Sequence, residues 1–373
     1  MTVNFRQLSI MTFMSFIALK FLALPSLLYT VSGDMSWLVA LVLMIIDGIY
    51  AVIIVDLIKK NQKKNVYDFM KSILGPFFAK LILIVLLIKF AIVIANILKG
   101  LEFFVVENFY TELNWIVFIA PLIGVISFMI YKGVRNIARV FEMVFIAIII
   151  GLIYIALKSF AGVDLLMFIP FFEFGVQPLF ESAYVHLSWF GSASFLIMLF
   201  GCVDFKNAKK FNLIRYIFYA IGIVQLLYIV FYGLFDMTSP THSFALSDVS
   251  QYYGGRVAVN ELSWLVVSLW VVAQAIQCAM YGFCFVKAVM YIFNIKNSIV
   301  PILILDAYML SWVIAGKNTI KLERFFFSDF ASIITIISQY IIPLILLFGY
   351  LIKRSRQKRK HKVVKNEEIK VNI

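Results

Sequence analysis

Charged residues are scarce in this chain of 373 residues. Asp, Glu, Lys and Arg make up 14% of the sequence and hydrophobic residues 63%, whereas soluble domains contain about 25% charged and about 45–50% apolar residues. This composition excludes a soluble domain with a single membrane anchor and predicts an integral membrane protein. The formal net charge of +13 suggests nucleic acid as a partner at first, but the distribution of the basic residues argues against it.

Cysteine and histidine are also rare, with three residues of each. Cys202, Cys278 and Cys284 lie in or beside apolar segments. Their spacing fits neither a metal site nor a disulfide framework, so we interpret them as small buried apolar side chains. The sequence contains no HExxH, no GxSxG and no phosphate-binding glycine loop. We therefore expect no enzymatic activity, no cofactor and no metal.

Long apolar runs dominate what is present. Ten of them have about the 18–25 residues of a tilted or slightly short transmembrane helix. We predict an all-α integral membrane protein with one transporter-like transmembrane domain at 1–352 and a basic cytoplasmic tail at 353–373. The ten predicted spans are Leu8–Val31, Ser36–Ile58, Gly75–Leu98, Asn114–Tyr131, Val140–Leu157, Tyr184–Gly201, Leu213–Leu234, Leu262–Val286, Ser298–Ala315 and Phe330–Ile352.

Lysine and arginine set the predicted orientation. They are concentrated in the loops that follow even-numbered spans and in the tail, and they are rarer in the opposite loops. By the positive-inside rule, both termini are then cytoplasmic. The same distribution favours contact of the tail with anionic lipid headgroups over binding of nucleic acid.

Two of the ten spans contain residues that disrupt a helix. Span one carries Lys20 near its middle and Pro25 in its second half. A lysine in the middle of the membrane costs at least about 2.5–3.5 kcal/mol on insertion scales, and a proline kinks a helix. Span six contains the small and polar stretch 188–194. Transporters built as five-plus-five inverted repeats have broken helices 1 and 6 around the substrate site, so we predict that architecture.

Four ionisable residues are predicted near the middle of the membrane: Lys20, Asp47, Lys89 and Asp306. At a rise of about 1.5 Å per residue, Lys20 and Asp47 lie at similar depths. We hypothesise an ion pair or a proton relay there, to which His186 could contribute; a structural hydrogen bond is the alternative for His186. For Asp306 two alternatives stay open, a pair with Lys89 and a neutral acid packed against another helix.

Span eight presents a stripe of polar side chains. Gln274, Gln277 and Tyr281 are spaced at i, i+3 and i+7 and therefore share one helical face. Neutral hydrogen-bonding groups on one face suit a zwitterionic or polar ligand. The alternative is that they hold membrane helices together through interhelical hydrogen bonds.

Four segments give the chain a family resemblance. They are FLALPSLL at 21–28, GVRNIARVFE at 133–142, FFEFGVQPLFESA at 171–183 and WVVAQAIQCAMYGF at 270–283. With these segments in this order, ten spans and a short basic tail, the chain resembles the spore germination permeases. These are the B subunits (GerAB-type) of nutrient germinant receptors, within the amino acid–polyamine–organocation superfamily. The resemblance extends over roughly residues 5–353.

The resemblance implies a germinant receptor subunit of the inner membrane that binds a small nutrient, often an amino acid, and triggers spore germination. The implied partners are a larger A-type membrane subunit and a C-type lipoprotein subunit. The alternatives are a proton-coupled amino acid permease and a structural scaffold with an empty site. Carried over by position, the implied ligand-binding residues are Ala18, Lys89, Phe190 or Gly191, Gln277 and Tyr281.

Span one departs from the family pattern. Family members commonly carry glycines before the Leu-Pro of this span, where this chain has Ala18 and Lys20. Glycine lets a ligand carboxylate approach the bare backbone, whereas a lysine fills that space and adds a positive charge. We therefore add Lys20 to the predicted ligand-binding residues. We expect a ligand whose carboxylate pairs with Lys20, or a lysine that replaces a coupling cation.

Overall fold

Helices make up almost all of the regular structure. The computed structural model describes residues 2–21, 23–61, 64–108, 115–168, 175–206, 208–242, 244–252, 257–314 and 329–371. Within these residues, two short strands, β1 (Val3–Asn4) and β2 (Val203–Asp204), pair in parallel. The predicted all-α class is confirmed.

The helices are made of aliphatic and aromatic residues, and a helix satisfies its backbone polar groups internally, as lipid requires. The α-helices of the described residues are α1 (Phe5–Ala18), α2 (Leu24–Ser32), α3 (Ser36–Lys60), α4 (Val66–Leu74), α5 (Pro76–Asn108), α6 (Trp115–Lys132), α7 (Val134–Ser159), α8 (Gln177–His186), α9 (Lys210–Phe235), α10 (Ala245–Tyr252), α11 (Val257–Phe293), α12 (Ile299–Ile314), α13 (Asp329–Ile336) and α14 (Ile342–Val371).

The long helices identify a multi-pass membrane protein. Among the described residues, six helical stretches are long and apolar enough to cross a membrane, and two shorter apolar helices accompany them. Many large apolar side chains remain exposed on the outside of the bundle, as a surface facing lipid requires. The exact count of ten spans stays a prediction. The six stretches are Leu24–Lys60, Pro76–Glu102, Val134–Gly162, Phe211–Thr241, Ser268–Phe293 and Phe330–Gln357; the shorter ones are Val117–Lys132 and Ile299–Ile314.

The first predicted span is interrupted at Lys20. Helix α1 ends at Ala18 and α2 begins at Leu24. Pro25 lies in the first turn of α2, where the missing N–H has no intrahelical partner to lose. We call the stretch between Ala18 and Leu24 the first break. Beyond α2, Gly33 has a φ of +51°, a conformation that glycine adopts easily, and a short 3₁₀ turn leads into α3.

The sixth predicted span is interrupted as well. Helix α8 ends at His186, a 3₁₀ turn covers Leu187–Trp189, and a second 3₁₀ segment runs from Ser192 to Leu199. Phe190 and Gly191 lie outside both segments, and we call the stretch Trp189–Ser192 around them the second break.

The last predicted span contains a π-helical turn at Ile337–Ile341, between α13 and α14. Such turns occur frequently at functional sites. Helix α14 continues to Val371, beyond the predicted span end at Ile352. Residues 353–371 contain neither glycine nor proline and are rich in Lys, Arg and Glu, which are good helix formers.

The bundle is organised around α5 and α11, which make its most extensive interhelical contact. Helix α1 packs against α7, α9 and α11. At Gly282 of α11 an added Cβ would come within 2.6 Å of Ile130 Cδ1 on α6, so glycine allows these helices to approach closely. Two shorter helices pack onto this frame: α8 lies against α2 and α3, and α10 lies against α7, α9 and α11.

Candidate functional site

The two breaks lie against each other. Ser15 Oγ of α1 donates a hydrogen bond to the Ser192 carbonyl at 2.9 Å. Lys20 Nζ donates to the Trp189 carbonyl and lies 3.5 Å from Ser192 Oγ. Interrupted helices leave backbone groups without an intrahelical partner. Side chains of the first span therefore satisfy carbonyls that the second break has left free.

Lys20 is held inside the protein and does not reach an interface. Its side chain is completely buried, and its ammonium lies 4.2 Å from the ring centroid of Phe190, which is cation–π distance. The Lys20 carbonyl accepts a hydrogen bond from the Tyr228 hydroxyl of α9 at 2.8 Å. The first break is thus tied to span seven by its backbone and to the second break by its side chain.

Asp47 of α3 is bound to the same second break. Its carboxylate accepts hydrogen bonds from the Ser192 backbone N–H at 3.1 Å and from Gln339 Nε2 of the π-helical turn at 2.6 Å. Among the described residues, Lys20 and Asp47 form no direct ion pair within 4 Å. They interact electrostatically and both contact Ser192, so this residue bridges the two charges.

Lys89 of α5 completes the charged group. Its ammonium donates to Thr335 Oγ1 of α13 at 3.0 Å. A Cβ added to Gly191 would lie 3.0 Å from Lys89 Nζ, so the absence of a side chain at the second break makes room for this ammonium. Asp306, in contrast, accepts a hydrogen bond from Ser127 of α6. Asp306 therefore packs against another helix and does not pair with Lys89.

We call Lys20, Asp47, Lys89, Ser192 and Gln339 the central site. Asp47 interacts electrostatically with both lysines. The two lysines also act on each other electrostatically. Two ammonium groups and one carboxylate give the site a formal net charge of +1 in their ordinary charge states. A buried charge without a partner is costly, so the site favours an anionic group.

Two residues of the polar stripe of span eight contact the region of the breaks. Gln274 Nε2 donates to the carbonyl of Ala18, at the end of α1. The Tyr281 hydroxyl lies 3.4 Å from Ser15 Oγ and 3.5 Å from the Ser192 carbonyl. Gln274 therefore holds α11 against the first break, which is the interhelical role. Tyr281 contacts the point where the two breaks meet.

Two buried amides have hydrogen-bonding atoms that are not satisfied. Gln277 is completely buried, and neither of its amide atoms makes a hydrogen bond of normal geometry, although Tyr281 lies close enough to interact with it. Gln339 donates to Asp47 through Nε2, but its Oε1 has no partner. Buried polar atoms are nearly always hydrogen-bonded in proteins. A ligand with both donors and acceptors would satisfy them, and we therefore assign Gln277 and Gln339 to the binding side of the site.

His186 forms a structural hydrogen bond, which was the alternative to a role in a proton relay. Its ring Nδ1 lies 2.9 Å from the Ser182 carbonyl of its own helix. This is a local structural hydrogen bond and not a contact with Lys20 or Asp47. In the part of the chain that the structure describes, no group of three His, Cys, Asp or Glu side chains could hold a metal ion.

Sequence reasoning missed Ser15, Ser192, Thr335 and Gln339. The signal for the last two was a short run of polar residues inside the apolar tenth span, Thr335 followed by 338–340. The signal for Ser15 was a hydroxyl five residues before Lys20. Such residues are common in membrane helices as interhelical hydrogen-bonding groups, so their type alone does not distinguish a site.

The comparison with known families agrees with the resemblance of the sequence segments. A family model described as "Spore germination protein" (Spore_permease) matches residues 2–320, which is most of the chain. A search of curated proteins finds no match. The chain therefore belongs to the spore germination permease family.

Proposed function

We propose that this chain is the membrane subunit of a spore germinant receptor and that it binds a small nutrient at the central site to trigger germination. One observation carries the proposal: Lys20, Lys89 and Asp47 converge on the second break, where the family membership leads us to expect the ligand. The unsatisfied amide atoms of Gln277 and the unpartnered Oε1 of Gln339 support a polar ligand.

The charges of the site favour a ligand with a carboxylate. Lys20 occupies the first break, where its ammonium can pair with a carboxylate. Asp47 can pair with an ammonium group, so the two together suit an amino acid. Lys89 leaves one positive charge in excess, which favours a neutral or acidic amino acid over a basic one. Ala18, Phe190 and Tyr281 would form the walls around the ligand.

The packing of the helices supports two five-span halves. In a five-plus-five repeat, each span of the first half corresponds to the span five positions later. A contact between two spans should then recur between their two counterparts. Helix α1 of span one packs against α9 of span seven, and the 3₁₀ segment Ser192–Leu199 of span six packs correspondingly against α3 of span two. Likewise, α7 of span five packs against α11 of span eight, and the tenth span packs against α5 of span three. Three further contacts join a span directly to its own counterpart: α5 with α11, α3 with α9, and α6 with α12. Inverted repeats would give this pattern.

A ligand that binds one arrangement of these halves more tightly would shift the population towards it. We propose that this shift is transmitted to an A-type and a C-type subunit in the inner membrane, with both termini of this chain in the cytoplasm. The alternative is a proton-coupled amino acid permease, favoured by the buried Asp47 and its two lysine neighbours. Concentrative uptake of labelled amino acids by proteoliposomes of this chain alone would support the permease over a sensor.

The ligand is tested by thermal shift of the purified chain. A ligand in hundredfold excess over its dissociation constant stabilises by about 2.7 kcal/mol. We expect amino acids to raise the melting temperature, and their carboxamides, which lack the carboxylate, to have no effect. Lys20→Met should abolish the shift, and Lys132→Met, at the exposed end of α6, should preserve it. Equal shifts with acid and carboxamide, or an unaltered response of Lys20→Met, would contradict the proposal.

A further inference from the structure

A polar cavity lies beyond the C-terminal end of the 3₁₀ segment of span six, where Gly201 approaches Lys64. It has a volume of about 110 Å³ and is lined by Asn61 and Lys64, which lie between α3 and α4, and by residues of α4 and α14. This is room for several water molecules or one group the size of a phosphate. Lys64, Lys353 and Arg354 line it, together with the polar Asn61.

The charges of this cavity are of one sign. None of its described lining residues is acidic, and within the described part of the chain no carboxylate pairs with Lys64, Lys353 or Arg354. Lys64 is close enough to Lys353 for electrostatic repulsion. Lys353 does donate to the Ser72 carbonyl at 2.8 Å, but a neutral carbonyl does not compensate the other two charges.

The backbone around the cavity is fixed by close packing. Gly201 has a φ of +75°, and a Cβ there would lie 3.2 Å from the Lys64 carbonyl. A Cβ on Gly349 of α14 would come within 2.2 Å of Ile73 on α4. Asn65 caps α4 by accepting a hydrogen bond from the Asp68 backbone N–H at 2.8 Å. The three cations therefore project from a framework that holds them together.

We propose that this cavity binds a phosphate group, from an anionic phospholipid or from a soluble phosphate. Lys and Arg are the side chains that proteins use for phosphate. The cavity lies at the end of the bundle where α3 and the tenth span lead into their lysine- and arginine-rich ends, and cytoplasmic leaflets carry anionic lipids that attract such residues. Phe69 and Tyr350, which also line the cavity, offer an apolar wall for the adjoining part of a lipid.

The test is a thermal-shift titration of the full chain in a neutral detergent, where no charged bilayer contributes. The probes are short-chain phosphatidylglycerol, short-chain phosphatidylcholine and inorganic phosphate. Stabilisation by phosphatidylglycerol alone assigns the site to a lipid headgroup, and equal stabilisation by inorganic phosphate assigns it to a soluble phosphate. If neither stabilises the protein more than phosphatidylcholine, the proposal is wrong.

Two charge-matched variants localise the effect. Replacing Lys64, Lys353 and Arg354 with Gln should weaken the apparent affinity about fivefold per charge removed. Replacing Lys132, Arg135 and Arg356, which do not line the cavity, should leave the titration nearly unchanged. The single Lys64→Gln variant, at an exposed position, guards against loss of folding in the triple variant. Equal weakening in both triple variants, or an unchanged titration in Lys64→Gln and the cavity triple, would overturn the assignment.

Discussion

Replacing Asp47 with Asn tests the charge arrangement of the central site. Asn has nearly the shape of Asp and can still accept a hydrogen bond from the Ser192 N–H or from Gln339, so the substitution mainly removes the charge. Lys20 and Lys89 are then left without their carboxylate, and the formal charge of the site rises from +1 to about +2. Lys20→Met lowers it to about zero, and the double variant restores +1.

The expected losses of unfolding free energy follow from the net charges of the site in these variants. Two unit charges 4 Å apart interact by about 4 kcal/mol at an effective dielectric constant near 20, and Lys20 and Asp47 are farther apart than that. We therefore expect a coupling of about 1–3 kcal/mol between them. Asp47→Asn should cost about 3–5 kcal/mol because it leaves buried charges uncompensated. Lys20→Met should cost less, since Lys89 still compensates Asp47.

The assay is equilibrium unfolding of the detergent-solubilised, ligand-free protein by a denaturing detergent, with single and double variants compared as a cycle. The control cycle combines Lys20→Met with Asp306→Asn, because Asp306 bonds to Ser127 of α6 and lies outside the central site. That control should be additive within about 0.5 kcal/mol. Additive losses for Asp47→Asn and Lys20→Met, or a larger loss for Lys20→Met, would refute the reasoning.

Three further predictions concern neighbouring residues. Gln277→Leu should abolish the ligand-induced thermal shift without lowering the stability of the empty protein, because its amide makes no hydrogen bond of normal geometry, whereas Gln274→Leu should cost about 1 kcal/mol of unfolding free energy through its lost backbone hydrogen bond. Gly191→Ala should cost about 1–3 kcal/mol by crowding the ammonium of α5, whereas Gly222→Ala, in open space, should not destabilise the protein; unfolding titrations measure both. Burial raises the pKa of Asp248 on α10, so the folded state retains the proton to higher pH than the unfolded state. Stability should then fall as pH rises from about 4, and Asp248→Asn should flatten that dependence in unfolding midpoints measured from pH 4 to 7.

The breaks were predictable because they violate local rules. Lys20 and Pro25 interrupt an apolar run, and the stretch 188–194 contains a glycine between serines where a continuous helix would carry bulky side chains. Both signals are read within a single span and need no knowledge of its neighbours. The depth of Asp47 followed from the rise of a helix alone. The sequence therefore pointed to the residues that carry the charge of the central site.

The partners of these residues were not predictable to the same degree. The sequence offered Asp306 as a partner for Lys89, and the structure gives its ammonium the hydroxyl of Thr335 instead. This choice depends on the rotation of α5 against α13, which lie far apart in the sequence. Gln339 reaches Asp47 from a π-helical turn. Pro343, two residues after that turn, marks a disturbance of the helix there but does not indicate which residue Gln339 contacts. Contacts that depend on the packing of distant spans leave no local signal.

The contacts of Lys20 also indicate how binding could act on the fold. Its ammonium holds the first break against the Trp189 carbonyl and the Phe190 ring of the second. A ligand carboxylate that pairs with Lys20 must compete with these contacts, so we infer that binding loosens the two breaks from each other. In Lys20→Met this contact is absent before any ligand arrives. Hydrogen exchange at 190–192 should therefore be faster in that variant than in the wild type without ligand, and ligand should increase the exchange of the wild type alone. Unchanged exchange at 190–192 in Lys20→Met would show that other contacts, such as the Ser15 hydroxyl on the Ser192 carbonyl, hold the breaks together.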